Sequence, residues 1–530
     1  MDLVNLNTLR DIMLNSEQMY SERTAIEFLK GSQIQKVNFS DFIVNIKKVA
    51  CNLNRLGFEN SRIALVGRMS YEWLVIFYGI LYSGNIVVPL DFNSTAEDFN
   101  KKIDHSKAAL IVYDKKLNKK LLLYINSTER KIAIPDLFEE AMQENSQKIC
   151  IETKINPNAP ALIIFTSGTT GKSKAVILTH NNICSDIKGS FELCEGKINE
   201  KEIERTMTVL PPHHAYEITI GLLYQLTYGG VVCISKNIKY FSRDLLFFKP
   251  TAIVVVPLVL ETLYNRIMVE IEKEGKEKLI SIARKACKIG SVFGIDIRRK
   301  VFFEILEKLG GNLRLIHCGG ANLDLKYLRF FQDIGLDIFV GYGMTECSPA
   351  IAANKPSERR DGSVGKVMPL PYAEVKIKDG EILVRGEIVF NQYLAAPELT
   401  EAAFKDGWFM TGDLGYFDKD GFLYLTGRKK NLIILSNGEN VSPEEIEDLL
   451  KKVEHVDEVM VSEKRLENGI VIIGASIFVR KELDSCETRK KIKNDIAKCN
   501  RNLSIHQKIK HIEFVDDEFP KNHLGKIIRR

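Results

Sequence analysis

No two cysteines of this chain stand in a C-x-x-C pair, and no zinc-type histidine spacing accompanies them; the ten cysteines are scattered singly. That excludes a thiolate metal framework and points to reduced core residues in a cytosolic protein. An excess of one charge is also missing. Lys and Arg number 74 against 69 Asp and Glu, and a balance of +5 over 530 residues is too slight to argue for nucleic acid. No basic stretch is interleaved with aromatics in the RNA-binding manner, so nucleic acid is not an expected partner. Met1-Asp2-Leu3-Val4-Asn5 holds no basic segment leading into an apolar run, so no secretory signal is expected and the cytoplasm is the expected location. Trp73 to Leu90 is uncharged over a length that mimics a membrane span, and Ser83-Gly84-Asn85 and Pro89 interrupt it. A buried helix, a turn and a buried strand are expected there instead. No transmembrane segment is expected; peripheral membrane contact stays open. Internal repeats and low-complexity linkers are absent.

What is present is the composition of a folded protein, 45% hydrophobic and 27% charged. The chain exceeds what one core usually supports, so at least two domains are expected. Apolar strand-like runs alternate with helical patterns: Arg62 to Val66, Trp73 to Tyr82, Ile86 to Pro89, Ala109 to Tyr113, then Thr251 to Pro257 before a helical Leu258 to Glu270. That alternation predicts an α/β fold. Gly380 to Tyr424 is denser in short strands and turns, a β-rich subdomain. Beyond Arg428 the pattern restarts with Asn431 to Leu435, a turn at Ser436-Asn437-Gly438, and a helix opening at Ser442-Pro443-Glu444-Glu445. Ser as N-cap, Pro at the first helical position and acids in the first turn make a strong helix start. The boundary is therefore expected near Arg428 to Asn431, between a large domain, 1–428, and a small α+β domain, 429–530.

The run Ile163-Ile164-Phe165-Thr166-Ser167-Gly168-Thr169-Thr170-Gly171-Lys172-Ser173-Lys174 is an apolar strand breaking into a hydroxyl-rich, glycine-rich, basic loop. Gly168 and Gly171 let backbone N–H groups turn toward an anion, while the hydroxyls and Lys172 add donors and charge. A polyphosphate suits that donor set. Walker geometry fails on spacing, since it needs a glycine where Thr166 stands. A solvated turn would account for Gly and Lys but not for five hydroxyl residues around two glycines after a buried strand.

Three further segments have the composition of nucleotide contacts. His317-Cys318-Gly319-Gly320-Ala321 follows the strand-like Leu313 to Ile316, and its glycines let a flat base lie against the main chain. Phe339-Val340-Gly341-Tyr342-Gly343-Met344-Thr345-Glu346 puts a ring between glycines, then a hydroxyl and a carboxylate suited to phosphate and a hard cation. Thr411-Gly412-Asp413-Leu414-Gly415 and Gly427-Arg428-Lys429-Lys430 supply a carboxylate and a guanidinium suited to vicinal hydroxyls.

In order and spacing this set resembles the adenylate-forming, AMP-binding superfamily along nearly the whole chain, most closely its long-chain fatty acyl-CoA synthetases. The resemblance implies that Thr166, Ser167, Gly168, Thr169, Thr170, Gly171 and Lys172 close over the β- and γ-phosphates of ATP. It implies that Gly319, Gly320, Ala321, Tyr342, Gly343 and Met344 hold adenine, and that Thr345 meets the α-phosphate. Glu346 and Thr166 would help hold Mg²⁺, and Asp413 and Arg428 would take the ribose. Pro520 to Arg530 looks like the family's C-terminal catalytic motif, with Lys526 as the catalytic lysine. Lys430 stands at what looks like the hinge about which a small, mobile C-terminal domain rotates, and Gly438 would line a pantetheine tunnel.

The implied reaction is attack of a carboxylate on the α-phosphorus of ATP, giving an acyl adenylate and pyrophosphate, followed by attack of the CoA thiol. Two anions must be brought together, a task for preorganised electrostatics from Lys526, Thr345 and Mg²⁺ at Glu346 rather than for a general base. Leu210-Pro211-Pro212-His213-His214-Ala215-Tyr216-Glu217 resembles the family's substrate-side motif, which makes His214 a gate or orienting residue. An elongated acyl pocket is expected to include Tyr216, Gly221, Val256 and Cys318, for a medium- to long-chain fatty acid. Glu217 could instead meet an amino group, although amino-acid branches usually place Asp after Phe here. Other readings keep adenylation but load a fatty, aryl or amino acid onto a carrier-protein phosphopantetheine acting in trans, since no carrier domain follows Arg530, or retain the fold as a non-catalytic nucleotide-binding regulator. The oligomeric state is not legible.

Overall fold

The computed structural model describes residues 6–127, 130–144, 154–166, 173–194, 203–355, 357–435, 439–466, 470–521 and 527–529. The chain divides into two compact units. The first comprises Met1–Asp361, Gly365–Glu374 and Arg385–Gly407; the second comprises Gly362–Val364, Val375–Val384 and Trp408–Arg530.

Two sheets build the first unit, as the α/β expectation requires. Among the described residues, one has seven strands in the order Gln392–Tyr393, Lys174–Thr179, Pro160–Thr166, Ile86–Leu90, Arg62–Val66, Leu110–Tyr113, Lys131–Ala133. Its middle strands are buried and apolar apart from Arg62 at the start of one, because both faces are covered. The uncharged stretch resolves as the buried helix Tyr71–Tyr82, capped by the Ser70 hydroxyl on the Trp73 N–H at 3.1 Å, and the strand Ile86–Leu90. No helix among the described residues is long and apolar enough to cross a membrane. Pro160–Thr166 has one parallel neighbour, Ile86–Leu90, and one antiparallel neighbour, Lys174–Thr179. Thr166 and Lys174 face each other in register, so the glycine-rich loop joins two antiparallel strands rather than a strand and a helix.

The other sheet has nine strands among the described residues. Three of them, Ala252–Val255, Leu315–Cys318 and Asp337–Gly343, lie side by side and parallel, with Val255 opposite Cys318 and Cys318 opposite Val340. Their carboxyl ends therefore open on one edge, where ligands gather in open α/β sheets. The strand expected at Leu313 to Ile316 falls two residues later because pairing with Ala252–Val255 fixes its register. The helix expected at Leu258 to Glu270, after the strand Ala252–Val255, is observed as Pro257–Lys273 with proline in its first turn.

The second unit carries the antiparallel ladder Trp408–Phe417 with Leu423–Arg428, flanked by Glu381–Arg385. It also carries a three-stranded sheet of Glu458–Arg465, Val471–Phe478 and Ile509–Val515. Helices Pro443–Leu450 and Cys486–Asn502 pack on that sheet around Ile446, Leu450, Val461, Ile473, Ile492 and Ile496. The helix at Pro443 starts where expected, but Ser442 does not cap it: its hydroxyl donates to the Thr426 carbonyl at 2.7 Å. Proline and the acids Glu444 and Glu445 carry the helix start instead.

Candidate active site

In the first unit the sequence-predicted residues gather on the open edge of the parallel strands. Val256, Gly319 and Gly343 end or directly follow the three adjacent strands. A Cβ on Gly319 would lie 3.2 Å from the Tyr216 ring, and one on Gly320 would lie 3.5 Å from Val256 Cγ1, so these four residues are neighbours. Gly320 has φ +81°, which favours glycine. Gly343 is required by close approach, since a Cβ there would fall 1.9 Å from the Pro349 carbonyl oxygen. The Met344 N–H donates to that same carbonyl at 2.8 Å, which folds the chain back at once after Tyr342. Thr345 and Glu346 follow in a single 3₁₀ turn, Thr345–Cys347.

Glu346 is the best-defined acid of the site. Its side chain is nearly buried, its Oε1 accepts the Tyr393 hydroxyl at 3.0 Å, and its carbonyl accepts the Phe390 N–H at 2.8 Å. Burial, then the neighbouring Glu346 carboxylate, pushes the Tyr393 phenol far above its ordinary range, so it stays a donor. Tyr393 is opposite Val176 in the sheet, and Lys174 Nζ lies 4.8 Å from its ring centroid. One tyrosine thus ties the acid to the base of the glycine-rich hairpin. There the Ser173 hydroxyl donates to the Thr166 carbonyl at 3.0 Å, and the Thr166 hydroxyl makes a long contact, 3.5 Å, to the Lys174 carbonyl. Ser167, Gly168, Thr169, Thr170, Gly171 and Lys172 lie outside the described residues. Among the described residues no group of three or more His, Cys, Asp or Glu side chains could hold a metal alone. A single buried carboxylate fits magnesium's habit of binding through one or two carboxylates plus substrate phosphates and water.

The substrate-side motif leads into a π-helical stretch, Glu217–Leu223. The rings of His213 and His214 lie 4.3 Å apart and tilted by 42° just before it, and the His214 carbonyl accepts the Ile218 N–H at 3.1 Å. Glu217 is fully buried, with Oε2 accepting the Leu210 N–H at 3.3 Å and the carboxyl packed where a Cβ on Gly221 would stand, 3.0 Å away. Burial pushes its pKa up to about 8. Gly221 is therefore the space that admits Glu217, a closer task than lining an acyl pocket. Cys318 and Val256 are buried at the strand ends, and burial raises the Cys318 thiol to about 12.

Two site-shaping residues were missed by sequence reasoning. Tyr393 carried no motif signal of its own. Asp186 is wholly buried and accepts the Ala350 N–H at 3.0 Å through Oδ1, bracing the strand that returns after Glu346. Burial raises its carboxyl well above the usual range. An acid in the middle of the helix His180–Leu193, next to Ile187 and near Ile183 and Cys184, was the available signal.

In the second unit Asp413 and Arg428 are cross-strand partners, with Arg428 Nε 2.8 Å from Asp413 Oδ1. Lys430 is the middle residue of the short turn Lys429–Asn431 after that ladder, and burial, then Arg428, lowers its pKa. Gly438 and Lys526 lie outside the described residues. On either side of the latter, Lys521 bridges to Ile527, and Arg529 reaches Glu447 at 2.5 Å and the Val461 carbonyl at 2.7 Å.

Residues 15–394 match the family described as AMP-binding enzyme, and residues 430–530 match the AMP-binding enzyme C-terminal domain. This chain belongs to the AMP-binding enzyme family. Within that family it is 31% identical over 437 residues to the long-chain-fatty-acid–CoA ligase FadD15 of Mycobacterium bovis, covering 77% of this chain and 72% of that protein. It is 29% identical over 509 residues to human long-chain-fatty-acid–CoA ligase 6, covering 84% of this chain and 72% of that protein. In fold it is similar to o-succinylbenzoate CoA synthetase from Bacillus subtilis, solved with its acyl-adenylate intermediate. That likeness has a TM-score of 0.77 at 24% identity and covers 98% of this chain and 96% of that one. In this AMP-binding enzyme Tyr342 lies at the end of the strand Asp337–Gly343, and Thr345 and Glu346 lie in the turn directly after it.

Proposed function

We propose that this AMP-binding enzyme activates a medium- to long-chain fatty acid with ATP, releasing pyrophosphate and forming an acyl adenylate, and then passes the acyl group to the thiol of CoA. The observation that carries the reading is the Glu346–Tyr393–Lys174 connection, which holds a metal-competent carboxylate against the base of the phosphate loop. The similarity to long-chain-fatty-acid–CoA ligases supports the choice of acid and acceptor.

In this reading Gly319, Gly320, Ala321 and Tyr342 receive the adenine, Asp413 and Arg428 the ribose, and Thr345 the α-phosphate. Glu346 would hold magnesium, which neutralises phosphate charge when bound. His214 orients the carboxylate for attack on the α-phosphorus, and Lys526 offsets the charge that builds on the phosphoryl oxygens. Residues 429–530 form the small domain that turns about Lys430 between the half-reactions, withdrawing Lys526 and bringing Gly438 to the thiol.

A pyrophosphate-release assay with ATP, magnesium and panels of fatty, aryl and amino acids tests this. Release should be greatest with fatty acids, and CoA thioester should follow when CoA is added. Absence of acid-dependent release across all panels would overturn the reading.

A further inference from the structure

The helix Glu277–Val292 has its apolar side chains on the wrong face for a core. Leu279, Ile282 and Ile289 are 61, 65 and 62% exposed, and Phe293 just beyond the helix end is 76% exposed. With exposed Ala286 they follow one another at intervals of three and four residues, a single stripe along one side of the helix. The opposite side is what holds the helix to the protein. Arg284 donates to Asp333 at 2.6 Å and lies 5.4 Å from the Phe330 ring centroid, and Cys287 is buried. Beyond the helix, Ile295, Val301 and Phe303 are also exposed. Single exposed hydrophobics are ordinary, but a contiguous run of this kind marks an interaction surface.

Charge decides what covers it. Lys278 and Lys285, both exposed, each precede a stripe residue and so flank the stripe along its length. Lys300 is exposed beyond it. The acids nearby are engaged or turned away: Asp296 is held by Arg298 at 2.7 Å, Glu304 by Lys276 at 3.3 Å, and Glu277 sits on the anchored side of the helix. An apolar stripe bordered by lysines is complementary to a layer of acyl chains beneath anionic phosphates, with the lysine stems lying along the apolar zone and their ammonium groups reaching the phosphates.

We propose that Glu277–Val292 and the segment through Phe303 form a docking surface for an anionic lipid bilayer. The inference rests on the proposed function for its purpose, since a fatty acid with a long apolar chain resides in such a layer. It does not rest on that function for the surface itself.

The test uses the full chain without ATP, co-sedimented with vesicles of phosphatidylcholine alone and of phosphatidylcholine mixed with phosphatidylglycerol. The wild-type protein should sediment with the mixed vesicles. A variant carrying Leu279→Ser, Ile282→Ser, Ile289→Ser and Phe293→Ser should partition about a hundredfold more weakly. Lys278→Glu with Lys285→Glu should erase the preference for the anionic vesicles. Both variants should keep wild-type pyrophosphate release with a short, water-soluble acid, which shows that they fold. Equal sedimentation of wild type and serine variant would overturn the proposal, as would wild type that stays in the supernatant with both vesicles. A concentration-dependent dimer abolished by the serine variant, with vesicle binding unchanged, would overturn it in favour of a second copy of the chain. Vesicle binding without any acid-dependent pyrophosphate release would overturn the functional reading and leave the surface standing.

Discussion

Tyr393 shows how one hydroxyl can decide the behaviour of an acid several elements away. Its ring is fixed by strand pairing to Val176 and by Phe390 at 4.7 Å, so its hydroxyl meets Glu346 with little freedom. A hydrogen bond to a charged group contributes about 1.5–3 kcal/mol, and in the proposed reading it would orient the second carboxylate oxygen toward magnesium. Tyr393→Phe is therefore expected to weaken ATP binding about three- to tenfold when magnesium is present and to leave metal-free ATP binding unchanged. Calorimetric titration with and without magnesium checks this; equal weakening in both would reduce Tyr393 to a packing role. Thr345 and Glu346 were legible in sequence because a hydroxyl and a carboxylate follow a ring between glycines. Tyr393 was not, because its partner stands 47 positions earlier and only the fold brings them together.

At the scale of elements, the π-helix Glu217–Leu223 and the strand edge carry most of the meaning. Glu217 is an acid placed inside the protein, opposite a glycine whose missing side chain makes room for it. Its folded pKa, about 8, stands above the ordinary carboxyl value near 4.5, so the folded state holds a proton that the unfolded chain releases. Stability from this group is complete below about pH 4.5 and is lost as pH rises through about 8. Glu217→Gln keeps the shape and removes the ionisation. Its melting temperature relative to wild type should therefore climb from pH 5 to pH 8, by a stability gain on the order of 1–3 kcal/mol at the upper end. Parallel melting profiles across that range would show that the carboxyl titrates normally. Sequence reading offered a contact to a substrate amine as an alternative role for Glu217; in the fold the backbone N–H of Leu210 occupies one of its oxygens.

For the whole molecule, the proposed cycle asks one lysine to serve the first half-reaction and leave before the second. The described residues on either side of Lys526 are held, Lys521 and Ile527 by their mutual bridge and Arg529 by Glu447. Lys526→Ala should cut acyl-adenylate formation severely while sparing thioester formation from preformed acyl adenylate. Arg529→Ala should reproduce that split more mildly, about a hundredfold in the first half-reaction, because it loosens the same segment. Rapid-quench measurement of the two half-reactions checks both, and equal loss in both halves would contradict the alternation. The sequence by itself determined the α/β class, the nucleotide motifs and their order, because apolar periodicity and the glycine, hydroxyl and carboxylate spacings are local properties. Tertiary structure alone decided which acid is buried, that Ser442 bonds Thr426 instead of capping its helix, and which tyrosine holds Glu346. It also decided that the apolar stripe of Glu277–Val292 faces outward. These depend on which surfaces meet, and a linear pattern of hydrophobicity reports how much a segment would bury but not what lies opposite it.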